Sequence, residues 1–374
     1  MNVTANRAEL LHAAKHAASV APSASPLEVL KGILLHSDGD GHLSLTATNL
    51  EVAIRIGVPC VSESEDSLVV SARLLVGMLE RLAGESVTLS RRDTSLQLTV
   101  KSGKAYYQIP ILGSNCFPQI EMPFPEDTIP VKGLPTMVKR ITFAVDKRSK
   151  DRPMLRCVNL MFTNDGLKAA GSNGFCVATA KGDEHSTGDI SMMVPAASLE
   201  TLARISSDRD EFRVGTTGKS LVFTKKDLFF SARILDGEYI DTEAIMAKLR
   251  NQFTVLADIE ELRDTLYATA SIDPDGTIML GFDGNLLYTR CDSEYARAVN
   301  SMNVIPLTGT PKGEFWYQSR YLMECLRVNE GMTTVGVAQS GLLTVTSENG
   351  SYLQSPIRAP AAVRKASSPE QKAA

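Results

Sequence analysis

Residues 71–82 read Ser-Ala-Arg-Leu-Leu-Val-Gly-Met-Leu-Glu-Arg-Leu, and the pattern returns at 195–205 as Pro-Ala-Ala-Ser-Leu-Glu-Thr-Leu-Ala-Arg-Ile and at 318–328 as Gln-Ser-Arg-Tyr-Leu-Met-Glu-Cys-Leu-Arg-Val. Successive copies are spaced by close to a third of the 374-residue chain, so the repeat decides the fold before any single element does. Apolar residues fall three or four apart in each: Leu74, Leu75, Met78 and Leu82, then Leu199, Leu202 and Ile205, then Leu322, Met323, Cys325 and Leu326. That spacing predicts an amphipathic helix with one face in a core.

Upstream of each copy lies a second helical pattern, over 7–20 (Leu10, Leu11, Ala14, Ala18), 134–145 (Met137, Val138, Ile141) and 258–270 (Leu262, Leu266, Ala270). Between the two helices run strands joined by a polar kink. In the first copy Leu43, Leu45 and Ala47 alternate up to Thr48-Asn49, and Leu50, Val52, Ile54, Ile56 and Val58 alternate beyond it. The kink recurs as Ser172-Asn173-Gly174 and Phe282-Asp283-Gly284. A hairpin closes each unit, with turn residues at Arg92-Asp93, Gly215 to Gly218 and Ser340-Gly341. The expected fold class is α+β: three tandem copies of a domain with two helices packed on antiparallel sheet, over 1–126, 127–250 and 251–360. Met122-Pro-Phe-Pro-Glu-Asp-Thr-Ile-Pro130 marks the first joint, because its prolines break any element. Residues 246–252 mark the second, and the small, polar tail 361–374 is predicted to be disordered.

With 43% apolar residues and a net charge of −4, the chain has ample surface to bury, which excludes disorder as its main state. No stretch approaches the ~18 apolar residues of a membrane span, and the first thirty residues lack a secretion signal, so a cytoplasmic location is expected. The six cysteines stand singly, without Cys-x-x-Cys spacing, and read as reduced thiols.

Enzyme motifs fail one by one. Gly215-Thr-Thr-Gly-Lys-Ser220 resembles a phosphate loop, but the first glycine that loop requires is Arg213, and a strand follows where a helix N-terminus is needed. His12-Ala-Ala-Lys-His16 places two imidazoles one helical turn apart, without the glutamate or third ligand of a zinc hydrolase, so an exposed, partly basic helix face is expected. Asp38-Gly-Asp-Gly41, Asn164-Asp165-Gly166 and Asp273-Pro-Asp-Gly276 read as strand-to-strand turns, and His36, His42 and His185 show no apparent partner. Trp316 is expected to pack rather than bind a ligand. Catalytic residues, metal ligands and cofactors are all expected to be absent.

One charge cluster stands out. From Lys132 to Arg156 there are eight basic residues against Asp146 and Asp151, a local excess of +6 on an otherwise acidic chain. A solvated face produces such runs, but this one passes from a helix into a loop ending Asp-Arg-Pro, a position suited to phosphate contact.

Taken in order, Leu43-Ser-Leu-Thr-Ala-Thr-Asn-Leu-Glu51, Phe117-Pro118, Asp151-Arg152-Pro153-x-Leu155, Leu235-Asp-Gly-Glu-Tyr-Ile-Asp241 and Ser355-Pro-Ile-Arg358 resemble the bacterial sliding clamp family, the beta subunit of DNA polymerase III, over residues 1 to about 359. The resemblance implies a head-to-tail homodimer closed into a ring around duplex DNA, helices lining the hole, with DNA polymerase and the clamp loader tethered through short hydrophobic peptides. A ring holds DNA by topology, so sequence-independent contacts to phosphate suffice. The DNA-facing residues it implies are His12, Lys15, Arg73, Lys139, Arg140, Lys147, Arg148, Lys150, Arg152, Arg204, Arg263 and Arg327. The acids of 258–264 run against a basic inner face and are read as helix N-terminal residues. The partner-peptide pocket maps to Leu155, Ser172, Gly174, Phe175, Cys176, Val177, Ile240, Ala244, Ile245, Leu353, Ser355, Pro356, Ile357 and Arg358. By the same matching Tyr107 and Ile109 would meet the partner subunit's Ile272, their outward apolar character suiting an oligomer contact, with an ordinary hairpin core as the open alternative.

Departures from the family pattern cluster in the pocket. Ser172-Asn-Gly-Phe-Cys-Val177 stands where Thr-Asp-Gly-His-Arg-Leu is usual, Ile240 replaces a proline, Ala244 an arginine, and Ser355-Pro-Ile-Arg358 the usual Met-Pro-Met-Arg. Ala24 replaces a DNA-touching arginine, and the tail overruns the usual end. The expected function is a non-enzymatic, processivity-conferring clamp. Its rivals are a monomeric clamp-fold peptide scaffold that no longer encircles DNA and, on His12 and His16, a metal hydrolase.

Overall fold

The structure is a computed structural model describing residues 1–359 except Glu63, Asp93, Thr94, Ser114 and Asn115. The turn read at Arg92-Asp93 and the expectation for the tail therefore fall outside the described residues. In chain order the first copy contains β1 (Asn2–Asn6), α1 (Arg7–Ala18), β2 (Gly32–Asp38), β3 (His42–Thr48), β4 (Val52–Ser62), β5 (Glu65–Ser71), α2 (Ala72–Arg81), β6 (Ser86–Ser90), β7 (Gln97–Ser102) and β8 (Ala105–Leu112). The second contains β9 (Ile129–Val131), α3 (Leu134–Thr142), β10 (Cys157–Thr163), β11 (Gly166–Ser172), β12 (Cys176–Lys181), β13 (Ile190–Pro195), α4 (Ala196–Arg204), β14 (Phe212–Thr216), β15 (Ser220–Lys225), β16 (Leu228–Arg233) and α5 (Thr242–Lys248). The third contains β17 (Asn251–Asp258), α6 (Ile259–Ala270), β18 (Thr277–Asp283), β19 (Leu286–Asp292), β20 (Arg297–Asn303), β21 (Ile305–Thr308), β22 (Lys312–Gln318), α7 (Ser319–Arg327), β23 (Met332–Ala338), β24 (Leu343–Ser347) and β25 (Gly350–Gln354).

Capping residues set the helix starts. Asn6 accepts from the backbone N–H of Ala8 and Glu9 to open α1, and Asp258 accepts from those of Glu260 and Glu261 to open α6. Asp258 and the two glutamates thus sit at a positive helix end, as the sequence reading held.

Contacts group the chain into two compact units, one of Met1–Pro135 with Ala197–Leu235, the other of Thr136–Ala196 with the described residues from Asp236 onward. The second copy is divided between them because its hairpins join neighbouring sheets. In the first unit a sheet runs β1-β6-β7-β8-β5-β2-β3-β4-β16-β15-β14-β9, with β1 also pairing β4, so the strands of copy one close on themselves. The join to copy two is β4 against β16, in register Ile54↔Phe230. Leu10, Ala14 and Ala17 of α1, Leu75 and Leu79 of α2, and Ile33, Leu35, Leu43, Leu45 and Ile54 form the core. Each large side chain buried there contributes about 1.5–3 kcal/mol. Helix α2 turns Leu74 outward, 42% exposed, and buries Ala72, Leu75 and Leu79, so the apolar stripe read as including Leu74 is rotated.

In the second unit a nine-stranded sheet runs β13-β10-β11-β12-β25-β24-β23-β17-β21, and a four-stranded sheet runs β20-β19-β18-β22. The first spans copies two and three through β12 against β25, in register Cys176↔Gln354 and Val177↔Leu353. Phe253 and Phe282, ring centroids 5.0 Å apart, anchor the core beneath α6. The turn Asp273-Pro-Asp-Gly276 connects α6 to β18; it is a helix-to-strand turn, not the strand-to-strand turn expected.

Candidate functional site

The polar kink of copy two builds one end of the candidate peptide site. Ser172 Oγ donates to the Cys176 carbonyl at 2.9 Å and accepts from the Gly174 N–H at 3.1 Å, while Asn173 Oδ1 accepts from the N–H groups of Phe175 and Cys176. Gly174 takes φ 87°, a region a side chain resists, and this turn puts Phe175 into solvent at 65% exposure. The chain end is tied alongside: the Ser355 N–H donates to the Phe175 carbonyl at 2.9 Å, and Ile357 pairs with Trp316. A third segment is pinned to the same sheet, Tyr239 Oη donating to the Cys157 carbonyl at 3.3 Å and Lys168 meeting Glu243 at 3.4 Å. Burial pushes the Tyr239 hydroxyl pKa up, so it stays a donor. Asp241 caps α5 through the Ala244 N–H and sets Ile245, 36% exposed, on that short helix.

Of the fourteen residues mapped here, Leu155, Ser172, Cys176, Val177 and Leu353 are buried, Gly174, Phe175, Ile245 and Arg358 are exposed, and Ile240, Ala244, Ser355, Pro356 and Ile357 are half-buried. Burial pushes the Cys176 thiol up to about 12, so it packs as a neutral group. Two neighbours lie outside the fourteen mapped residues, although Asn173 was read as part of the polar kink. Asn173 holds the turn, and Arg152, read as DNA-facing, has a guanidinium nitrogen 3.9 Å from where a β-carbon on Gly174 would stand. The Asn-Gly pair was the available signal for the first; nothing local marked the second.

The basic residues fall into two groups. In the first unit His12, Lys15, Arg73 and Arg204 are exposed on α1, α2 and the end of α4, with Lys15 bridged to Glu80 at 2.7 Å. In the second, Lys139 is exposed and Arg140 half-buried on α3, and Lys147, Arg148, Lys150 and Arg152 are exposed in the loop that follows. Arg263 is half-buried on α6, and Arg327 on α7 is paired with Glu324 at 2.6 Å.

Strand β8 bonds to β7 along its length but to β5 only at Ile111 and Leu112, leaving the other edge of 105–110 without a strand partner among the described residues. Among the described residues strand β20 likewise pairs only with β19. Tyr107 and Ile272 are half-buried. For Ile109 the hairpin-core alternative holds and the outward-facing one does not: it is 1% exposed, opposite Leu98, because alternation along β8 turns it inward when Gln108 and Pro110 face out.

The remaining motifs resolve as structure. Gly218 forms the β14–β15 turn with φ 82°, and Trp316 is buried under Arg290, 5.1 Å from its ring. Two of the other histidines have side-chain partners after all, His36 Nδ1 with Ser67 Oγ at 2.8 Å and His42 with Asp38 at 3.4 Å, while for His185 it is the backbone N–H that donates to Asp183.

The chain matches the family model for the DNA polymerase III beta subunit N-terminal domain over residues 1–121 and the central-domain model over 128–241. It is 25% identical over 261 residues to a Bacillus subtilis protein named Beta sliding clamp, covering 66% of this chain and 68% of that one. A Synechococcus elongatus protein of the same name is 26% identical over 325 residues, covering 82% and 84%. The fold superposes on the crystal structure of the DNA polymerase sliding clamp from B. subtilis with a TM-score of 0.87 at 20% identity, covering 96% of this chain and 100% of that one. The Pseudomonas aeruginosa DNA polymerase III beta subunit gives 0.87 at 22% identity with the same coverage. No described helix is long and apolar enough to cross a membrane. With the two family models together covering well over half of its length, and its fold shared end to end with solved members, the chain belongs to the DNA polymerase III beta subunit family.

Proposed function

We propose that the chain is a DNA sliding clamp: a non-enzymatic, cytoplasmic protein that encircles duplex DNA as a head-to-tail homodimer and tethers polymerase, clamp loader and repair proteins through short hydrophobic peptides. The observation that carries this reading is the family's repeat of helices on antiparallel sheet, which leaves free backbone edges along β8 and at β20 among the described residues. Two edges of that kind pair head to tail between subunits and close a ring. Three domains, 1–126, 127–250 and 251–360, are the units of this reading. The basic residues of α1 to α4 and the 147–152 loop face phosphate. Phe175, Ile240 and the 353–358 segment receive the partner peptide, whose tethering raises local partner concentration to about millimolar without chemistry by the clamp.

A second reading, a monomeric peptide scaffold, gains support from Ile109, whose burial within one subunit removes one contact assigned to the dimer. Retention on circular versus linearised nicked DNA after loading by the matching clamp loader, with solution mass measured in parallel, decides between them. A dimer retained on circles and lost from linear ends is the expected result. A monomer with no difference between the DNAs, beside a control clamp that loads, would establish the scaffold.

A further inference from the structure

His16 has no role in the clamp reading, and His12, one turn before it on α1, is assigned there only to general contact with phosphate. His12 and His16 stand one turn apart on α1, their ring centroids 4.0 Å apart and inclined at 58°. They open into a cleft of about 800 Å³ lined also by Arg204, Asp210, Lys225 and Asp227. Among the described residues no hydrogen bond engages a ring nitrogen of either histidine, in contrast to His36 and His42. His12 is exposed and His16 half-buried, so the pair lies at the solvent mouth of the cleft. Lys225 is itself held by Asp210 in a short ion pair, which offsets the nearest positive charge.

We propose that His12 and His16 chelate a late first-row divalent cation, two imidazole nitrogens from one helical turn with solvent completing the coordination shell. The donor set selects the metal class, since paired neutral imidazoles suit Cu²⁺, Ni²⁺ and Zn²⁺ and discriminate against Mg²⁺ and Ca²⁺. Among the described residues no group of three or more His, Cys, Asp or Glu side chains is placed to hold a metal, so the site is a two-ligand one of moderate affinity. Asp210 does not supply a third ligand, because its carboxylate is committed to Lys225 and to the Ser207 N–H. A solvent-completed site of this kind is a binding or cross-bracing site, distinct from the three-ligand arrangement a zinc hydrolase needs.

The test is calorimetric titration of the untagged, full-length chain with ZnCl₂, paired with electron paramagnetic resonance of the Cu²⁺-loaded protein. One equivalent bound with a Kd on the order of micromolar and a two-nitrogen hyperfine pattern are expected. His12→Gln and His16→Gln each weaken binding by at least about tenfold, whereas His42→Gln does not, and melting curves establish that every variant is folded. Unchanged affinity in the His12→Gln/His16→Gln double variant, an effect of only one of the two histidines, or no binding by the folded wild-type chain would each overturn the proposal.

Discussion

Asn49 and Asn173 occupy equivalent positions in copies one and two and make the same pair of hydrogen bonds. Each side-chain oxygen accepts from the backbone N–H groups two and three residues ahead, Glu51 and Val52 in one copy, Phe175 and Cys176 in the other. The hydroxyl one residue before repeats its role too, Thr48 bonding the Val52 carbonyl as Ser172 bonds that of Cys176. The repeat is therefore conserved at the level of individual atoms at the kink. What differs is the residue carried forward on it: exposed Glu51 in copy one, exposed Phe175 in copy two. One backbone device serves as plain structure in the first copy and as a presenting turn in the second.

The equivalence exposes a strained position. Leu50 takes φ 75° where copy two has Gly174 at φ 87°, and a β-carbon in that region costs about 1–2 kcal/mol. Leu50 is half in solvent, so little packing is lost on removing it. Leu50→Gly should leave the protein unchanged or more stable by up to about 1 kcal/mol, after the entropy of an added glycine is subtracted. Gly174→Ala should destabilise it by a similar amount. Urea denaturation of both variants tests the pairing, and a destabilising Leu50→Gly would contradict it.

The same elements show what the sequence could and could not carry. Helices and paired strands were legible because their apolar periods, 3.6 and 2, recur in all three copies. Leu74 was misassigned because two adjacent leucines leave the helix phase open, and only contact with the sheet selects Leu75. Ile109 stayed open between interface and hairpin core because matching to a family gives position but not the side of the strand. Helix α5 spans only seven residues, too few for a period to register. The approach of Arg152 to Gly174 is a tertiary contact that no local spacing reports.

Acid stability should turn on Asp66. Its carboxylate meets the Met1 ammonium and Arg91, each at 2.6 Å. Burial alone would raise its pKa, but the ammonium and then Arg91 outweigh it and hold the carboxyl below the usual range. A depressed carboxyl contributes stability above its unfolded pKa of about 4, and that contribution disappears as pH falls through the lower folded value. Asp66→Asn should cost about 1–2 kcal/mol at pH 7, a figure reduced for partial solvent screening. The difference from wild type should shrink steadily below about pH 4. An equal deficit at both ends of the range would show that charge is not the cause.

The loop after α3 should govern salt dependence. Each phosphate neutralised contributes about −0.9 to the slope of log affinity against log salt. Replacing Lys147, Arg148 and Lys150 with Ala should therefore flatten the slope for DNA by about 1–3. Peptide binding should be unaffected. An unchanged slope would remove this loop from the DNA face.

Phe175 should control peptide affinity without controlling stability. At 65% exposure its truncation leaves no cavity, so Phe175→Ala should melt as wild type does. Hydrophobic partner peptides should bind about tenfold more weakly, the loss of one aromatic contact. Fluorescence anisotropy with a labelled peptide measures this. Tighter binding would instead show that Phe175 shields the site.

Tyr107 and Ile109, two residues apart on β8, should separate association from folding. Ile109 is packed opposite Leu98 within its own subunit, so Ile109→Ala should destabilise the fold by about 2–4 kcal/mol. Tyr107 is only half-buried and lies on the strand with the unpaired edge, so Tyr107→Ala should leave unfolding within about 1 kcal/mol of wild type while shifting the solution mass from dimer toward monomer. Sedimentation equilibrium and urea melts on the same samples distinguish the two effects. A Tyr107→Ala variant that stays fully dimeric at low protein concentration would show that this side chain does not carry the subunit contact.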